Sequence, residues 1–173
     1  MHLKSANFCK QYLIFLMSYK KLISHGRIAE NRKAKFNYDI KEKLQVGIIL
    51  KGTEVKSLRQ GKASISESYA SETLGKICLI NANIPIYESA NNFNHDPLRQ
   101  RELLVSKKER NKLIGLIKKD GVTLVPLSLY FNNNGLAKID LGIAKGKQKQ
   151  DKREDIKQRD WNRQKLRILK DQN

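Results

Sequence analysis

The chain has 173 residues, with 35 lysines and arginines against 17 aspartates and glutamates, for a formal net charge of +18. That length suits one domain with an appendage, and the charge points to a phosphate-rich polymer or an anionic surface as partner. The two cysteines, Cys9 and Cys78, form no C-x-x-C pair, which argues against a disulfide framework or a zinc site and fits reduced, cytosolic surroundings.

Residues 1–25 carry four bases and no acid and read as an N-terminal extension. Their apolar run, "YLIFLM" (Tyr12–Met17), has six residues. A signal segment needs about 7–15 and a membrane span about 20. Met17 offers an alternative start of translation.

From Lys35 the pattern becomes β. Phe36, Tyr38 and Ile40 alternate with Asn37, Asp39 and Lys41, and Val46–Leu50 continues as an apolar strand. Gly52–Gly61 reads as a short helix. Thr53 is its expected N-cap, Glu54 suits its positive end and Gly61 stops it. Tyr69–Thr73 and Lys76–Asn81 read as strands joined by a tight turn at Leu74 and Gly75. Cys78 lies in the second as a small buried hydrophobe. Asn91–Leu103 is polar, contains a proline and reads as loop.

Ser106–Gly121 is the clearest helix. Ser106 and Glu109 match a capping box, and Leu113, Ile114 and Ile117 form its buried stripe. Val122–Ala144 reads as two strands around an Asn/Gly loop. Leu127, Leu129 and Phe131 alternate on one, and Ile139, Leu141 and Ile143 on the other. Pro126 suits an edge or bulge. Short strands with two small helices predict a mainly β chain, a compact antiparallel barrel with flanking helices.

Beyond Ala144 the composition changes. Residues 145–173 hold 11 bases and five acids. Lys145–Gln150 has no apolar residue and reads as a linker. Asp151–Lys170 has neither Gly nor Pro, and helical spacing puts Lys152, Arg159, Arg163, Arg167 and Lys170 on one stripe, opposite Trp161 and Ile168. Such a helix is marginal alone in water. Two readings follow: a tail unfolded when free that becomes helical on an anionic partner, or a charged helix docked on the domain through Trp161.

No catalytic constellation stands out. His2, His25 and His95 are isolated, and phosphate-loop, nucleophile-elbow and metal-ligand spacings are missing. Glu42, Glu54 and Glu67 are the acids that a metal-dependent nuclease would have to gather. The basic residues are more informative. Arg32, Lys33 and Lys35 precede a strand, and Arg99 and Arg101 punctuate a loop, with Phe36, Tyr38 and Phe93 available for stacking. This combination suits phosphate and base contacts.

"GTEVKSLRQGKASISESY" (Gly52–Tyr69) is more specific. Together with "ENRKAKFNYDI", "DPLRQRELL", "LSLYF" and "GIAKGK…DKR", it makes the chain resemble the small protein B family, the SsrA-binding proteins of bacterial trans-translation, from about Glu30 to Lys170. Residues 1–16 have no counterpart in it. The resemblance implies an oligonucleotide-binding-like barrel (26–144) and a basic tail (145–173) that becomes helical on the ribosome. It implies a cytoplasmic, non-enzymatic protein without a cofactor. Its implied partner is the tRNA-like domain of transfer-messenger RNA, carried with elongation factor Tu and GTP to stalled ribosomes, where the tail fills the vacant messenger channel.

By motif, the resemblance assigns Asn31, Arg32, Lys33, Leu104 and Lys138 to the RNA-facing body, with Glu54, Lys56 and Arg59 in the signature helix. The charge pattern adds Lys35, Arg99 and Arg101. In the tail, Lys145, Gly146, Lys147, Asp151, Lys152 and Arg153 match the family motif, and Gln150 stands among them in the expected ribosome-binding set. Arg159, Trp161, Arg163, Ile168 and Leu169 complete the expected ribosome-binding set. The chain departs from many relatives at Gln45, where they have a carboxylate, and at Gln150, where they have a histidine. The alternative is a general structured-RNA or ribosomal-RNA binder without a rescue role.

Overall fold

The computed structural model describes residues 25–90, 93–118 and 121–171. The expectations placed on Cys9, on Tyr12–Met17 and on the alternative start lie outside the described residues.

Seven strands carry the fold: β1 (Gly26–Glu30), β2 (Tyr38–Ile48), β3 (Tyr69–Thr73), β4 (Lys76–Ile80), β5 (Arg101–Leu104), β6 (Val122–Phe131) and β7 (Ala137–Gly146). All named pairings are antiparallel, and β6–β7 pairing closes the ring β6–β3–β4–β5–β2–β7. β1 lies along β6, with Ala29 opposite Leu129. Four helices flank the ring: α1 (Ala34–Asn37), α2 (Gly52–Arg59), α3 (Lys107–Ile117) and α4 (Lys149–Asp171). The expected barrel with flanking helices is therefore the observed architecture.

Strand alternation fills the barrel. Leu124, Leu129, Ile139 and Leu141 are buried inside it, while α2 and α3 deliver Leu58 and Leu113 to the same core. Closing a ring removes most free sheet edges, and β-bulges supply the bends. One bulge falls between Pro126 and Ser128 opposite β7, where proline's missing amide proton is tolerated. The β3–β4 turn has Leu74 at φ 51° and Gly75 at φ 74°, the left-handed pair that matches the twist of a two-residue hairpin.

The structure differs from the sequence reading at four places. Phe36 and Asn37 belong to the helical turn α1, because Ala34 packs into a small second core with Val125 and Ala144. α2 begins at Gly52 with Lys51 as N-cap; Glu54, not Thr53, closes the cap by accepting the Lys51 amide at 2.6 Å. The segment 91–103 ends in strand β5, which the buried, charged Arg101 conceals. Finally, β7 runs on to Gly146 through backbone pairing with Tyr38, and α4 starts at Lys149. The expected linker thus shrinks to Lys147 and Gln148. The tail forms the helix Lys149–Asp171.

Leu58 has no exposed surface and ties α2 to the barrel. Leu58→Ala should lower unfolding free energy by about 3 kcal/mol, measured by urea denaturation.

Candidate nucleic-acid interface

Beneath the surface, one carboxylate organises the region read as RNA-facing. Glu54 accepts from Arg99 Nη2 at 2.5 Å and Nε at 2.8 Å, and from Arg101 Nε at 2.8 Å. Arg101 also donates to the carbonyls of Ala82, Arg99 and Pro97 at 2.5, 3.1 and 2.9 Å. Burial pushes the Glu54 pKa up, but Arg99, the Lys51 amide and Arg101 outweigh it and hold the group below the ordinary carboxylate range. His95 joins the same assembly, 2.9 Å from both Thr53 Oγ1 and the Ile84 carbonyl.

Two expected contact residues are therefore placed elsewhere. Glu54 and Arg101 are fully buried and offer a partner no surface; they hold α2 against β5 and the segment before it. Arg99 is only partly exposed, with its charge committed to Glu54. Lys56, over the Tyr87 ring, and Arg59 remain on the exposed side of α2. The acids of the nuclease alternative are also dispersed: Glu42 pairs with Lys112 and Glu54 with its arginines. Among the described residues no cluster of three His, Cys, Asp or Glu could hold a metal ion.

The outer face of β5, β2, β7 and β6 gathers other expected residues. Leu104, Gly47, Lys138 and Tyr130 occupy one row across the four strands. Gly47 permits this row: a Cβ there would come within 3.2 Å of Leu104 Cβ. Two residues along, on the same face, Gln45, Asp140 and Ser128 form the next row. Lys138 donates to Gln45 Oε1 at 3.3 Å, Gln45 donates to the Tyr130 hydroxyl, and Ser128 donates to Asp140 at 2.6 Å. Burial and the neighbouring Asp140 raise the Tyr130 pKa. Gln45 thus spans Lys138 and Tyr130 as acceptor and donor, a double role closed to a carboxylate.

This face leads into a groove of about 270 Å³ lined by Arg27, Asn31, Arg32, Lys35 and Lys43 among others. Asn31 is buried; its Nδ2 donates to the Ile65 and Ser66 carbonyls at 3.4 Å, and its amide to Leu127 O at 2.9 Å. It shapes the turn that exposes Arg32 and Lys33. Arg27, Lys43, Tyr130 and Asp140 escape the sequence reading. Only Lys43 leaves a trace there, two residues before Gln45 on an alternating strand.

The tail begins within the sheet. Lys145 and Gly146 are strand residues opposite Asp39 and Tyr38. Lys147 donates its amide to Asn37 O at 3.0 Å, and its Nζ to Lys35 O at 3.2 Å and Asp155 at 2.7 Å. The Lys147 bond holds the Asp155 pKa below its ordinary value. Asp151 accepts the Gln148 amide at 3.0 Å and so caps α4. Arg159 lies over the Phe36 ring, 4.9 Å from its centroid. Gln150, Asp151, Arg153 and Arg163 are exposed, and Lys152 is half-buried. Trp161 is 67% and Ile168 58% exposed, which removes docking through Trp161. Leu169 lies within α4, with its side chain outside the description.

A barrel with a base-rich groove and a basic helix at its end defines a nucleic-acid-binding class of protein. The sequence matches the SmpB protein family over residues 28–171. The chain belongs to that family. It is 58% identical over 144 residues to an SsrA-binding protein of Rhizobium etli, covering 83% of this chain and 91% of that one. An SsrA-binding protein of Afipia carboxidovorans is 54% identical over 154 residues, covering 89% and 98%. A solved chain described as "tmRNA-SmpB: a journey to the center of the bacterial ribosome" superposes with a TM-score of 0.60 at 45% identity. It covers 73% of this chain and 92% of its own.

A carboxylate with a depressed folded-state pKa contributes stability above its unfolded value, near 4.3 for Glu, and loses it as pH falls through the folded value. Glu54→Gln should therefore shrink the acid-side loss of stability followed by urea melts between pH 7 and 3. At pH 7 it should cost about 3–5 kcal/mol, because it leaves the buried Arg101 charge without its partner.

Proposed function

We propose that this protein binds the tRNA-like domain of transfer-messenger RNA and brings it to stalled ribosomes for trans-translation. The observation that carries the proposal is the grouping of bases: Arg27, Arg32, Lys35 and Lys43 line one groove, and Arg32 and Lys35 also face Arg159 of α4, whose Arg153 and Arg163 are exposed. Backbone-directed cations suit a folded RNA, whose phosphates dominate affinity. Among the described residues no helix is long and apolar enough to cross a membrane.

In this reading barrel and tail divide the work. The barrel holds the RNA through Arg32, Lys33, Lys35, Leu104 and Lys138, with Asn31 shaping the turn. The tail enters the messenger channel of the small subunit beyond the decoding centre. Its exposed Trp161 and Ile168 and its bases Lys152 and Arg163 would meet ribosomal RNA there. Elongation factor Tu with GTP would accompany the aminoacylated complex. The names of the relatives support this assignment, and so does the surface chemistry.

Two outcomes test it. Affinity for the tRNA-like domain should fall by roughly 10³-fold or more between 50 and 200 mM salt if about six phosphates are neutralised. It should also exceed affinity for ordinary tRNA; equal affinity, measured by filter binding, would favour the general RNA-binder instead.

A chain ending at Gln148 keeps every β7 pairing and the Lys147 amide bond. It should bind the RNA within several-fold of the full chain yet fail to support tagging on stalled ribosomes in a reconstituted translation assay. Charge reversal at Lys152 and Arg163 should reproduce the failure. Normal tagging by either variant would exclude the channel role of the tail.

A further inference from the structure

Helix α4 meets the barrel in an unusual way. A helix docked for stability turns its apolar stripe inward. Here Ile156, Trp161 and Ile168 are exposed, while Asp155, Gln158, Arg159 and Asn162 line the gap facing Arg32, Lys35 and Phe36. Those four tail positions follow i, i+3, i+4 and i+7 spacing, one face of a helix. The gap has a volume of about 390 Å³, within the roughly 300–1,000 Å³ of small-ligand clefts. It is a polar groove with one aromatic wall.

The charges inside it favour an anion. Asp155 is its only carboxylate, and Lys147 already neutralises it at 2.7 Å. Arg32 and Lys35 are exposed, and their side chains make no hydrogen bond or ion pair among the described residues. Arg159 lies over the Phe36 ring, and a guanidinium plane can stack a second planar group. Gln158 and Asn162 stand one turn apart, each with an amide that both donates and accepts. Such amides recognise base edges, and guanidinium planes stack on bases.

We propose that the groove between α1 and α4 is a single-nucleotide subsite shared by barrel and tail. It takes an unpaired ribonucleotide of the bound RNA. Arg32 and Lys35 hold the phosphate, the base stacks on the Arg159–Phe36 pair, and Gln158 and Asn162 select its edge. The assignment rests on the RNA-binding reading above and adds Phe36, Gln158 and Asn162 to it. A ligand bridging α1 and α4 also favours the docked tail, so RNA binding and tail orientation are coupled reciprocally.

The test titrates the full-length, isotope-labelled protein with each of the four nucleoside 5′-monophosphates and with inorganic phosphate, followed by NMR. Nucleotides should shift the Phe36 ring and the Gln158 and Asn162 side-chain amides, with one base preferred. Phosphate should perturb only the Arg32 and Lys35 region. The double variant Gln158→Ala, Asn162→Ala lies on an exposed helix face and keeps good helix formers. It should abolish the base preference, and Phe36→Leu should weaken nucleotide binding about tenfold, in the range of one lost base stack. Identical shifts with nucleotide and phosphate, or unchanged base preference in the double variant, would overturn the subsite. The same samples are titrated with the tRNA-like domain of transfer-messenger RNA. Binding of that RNA without groove shifts refutes the subsite alone, whereas no binding by the wild type refutes the broader reading.

Discussion

A charge buried with its partners governs the architecture. Taking an ion from water costs several kcal/mol unless its hydrogen-bonding capacity is met, and Glu54 meets it with two guanidiniums and the Lys51 amide. The cluster sits beside the shortest strand of the barrel. β5 has four residues and touches β4 and β2 through two residue pairs each. Arg101 opens that strand, so the ion cluster fastens the seam that hydrophobic packing alone would hold weakly. The ring can close across a short strand because the segment before it is bound to α2 by charge.

Ring closure in turn sets the outer face. With register fixed along β2 and β7, Leu104, Lys138, Gln45 and Asp140 must point outward together. Hydrogen bonds from Lys138 to Gln45, from Gln45 to Tyr130 and from Tyr130 to Asp140 orient side chains that would otherwise be free rotors. A face ordered in this way loses less conformational entropy when a partner arrives.

Much of this was legible because it obeys local rules. The Ser106–Glu109 capping box, the Leu74–Gly75 turn and the bulge at Pro126 each declare themselves within a few residues. Other features depend on distant partners. Arg99 and Arg101 look alike on the page, and only the fold sends one wholly inside to a glutamate 47 positions earlier. The end of β7 escaped for a different reason. Lys145 and Gly146 are held by backbone pairing to Tyr38 and Asp39, which leaves no hydrophobic pattern to read. Arg101, placed by charge, and Asn31 and Glu54, placed by motif, are all buried, since a polar residue in sequence carries no mark of its burial.

The two-residue passage from sheet to α4 has a mechanical consequence. Gly146 ends a strand locked into the barrel, and Lys149 begins a helix of 23 residues. At 1.5 Å per residue the helix is a rod about 35 Å long. A rotation of about 10° at Lys147 and Gln148 would therefore swing its far end by roughly 6 Å, more than one helical turn. A small change in backbone torsion at the barrel's edge is thus geared up into a large sweep at the distal end.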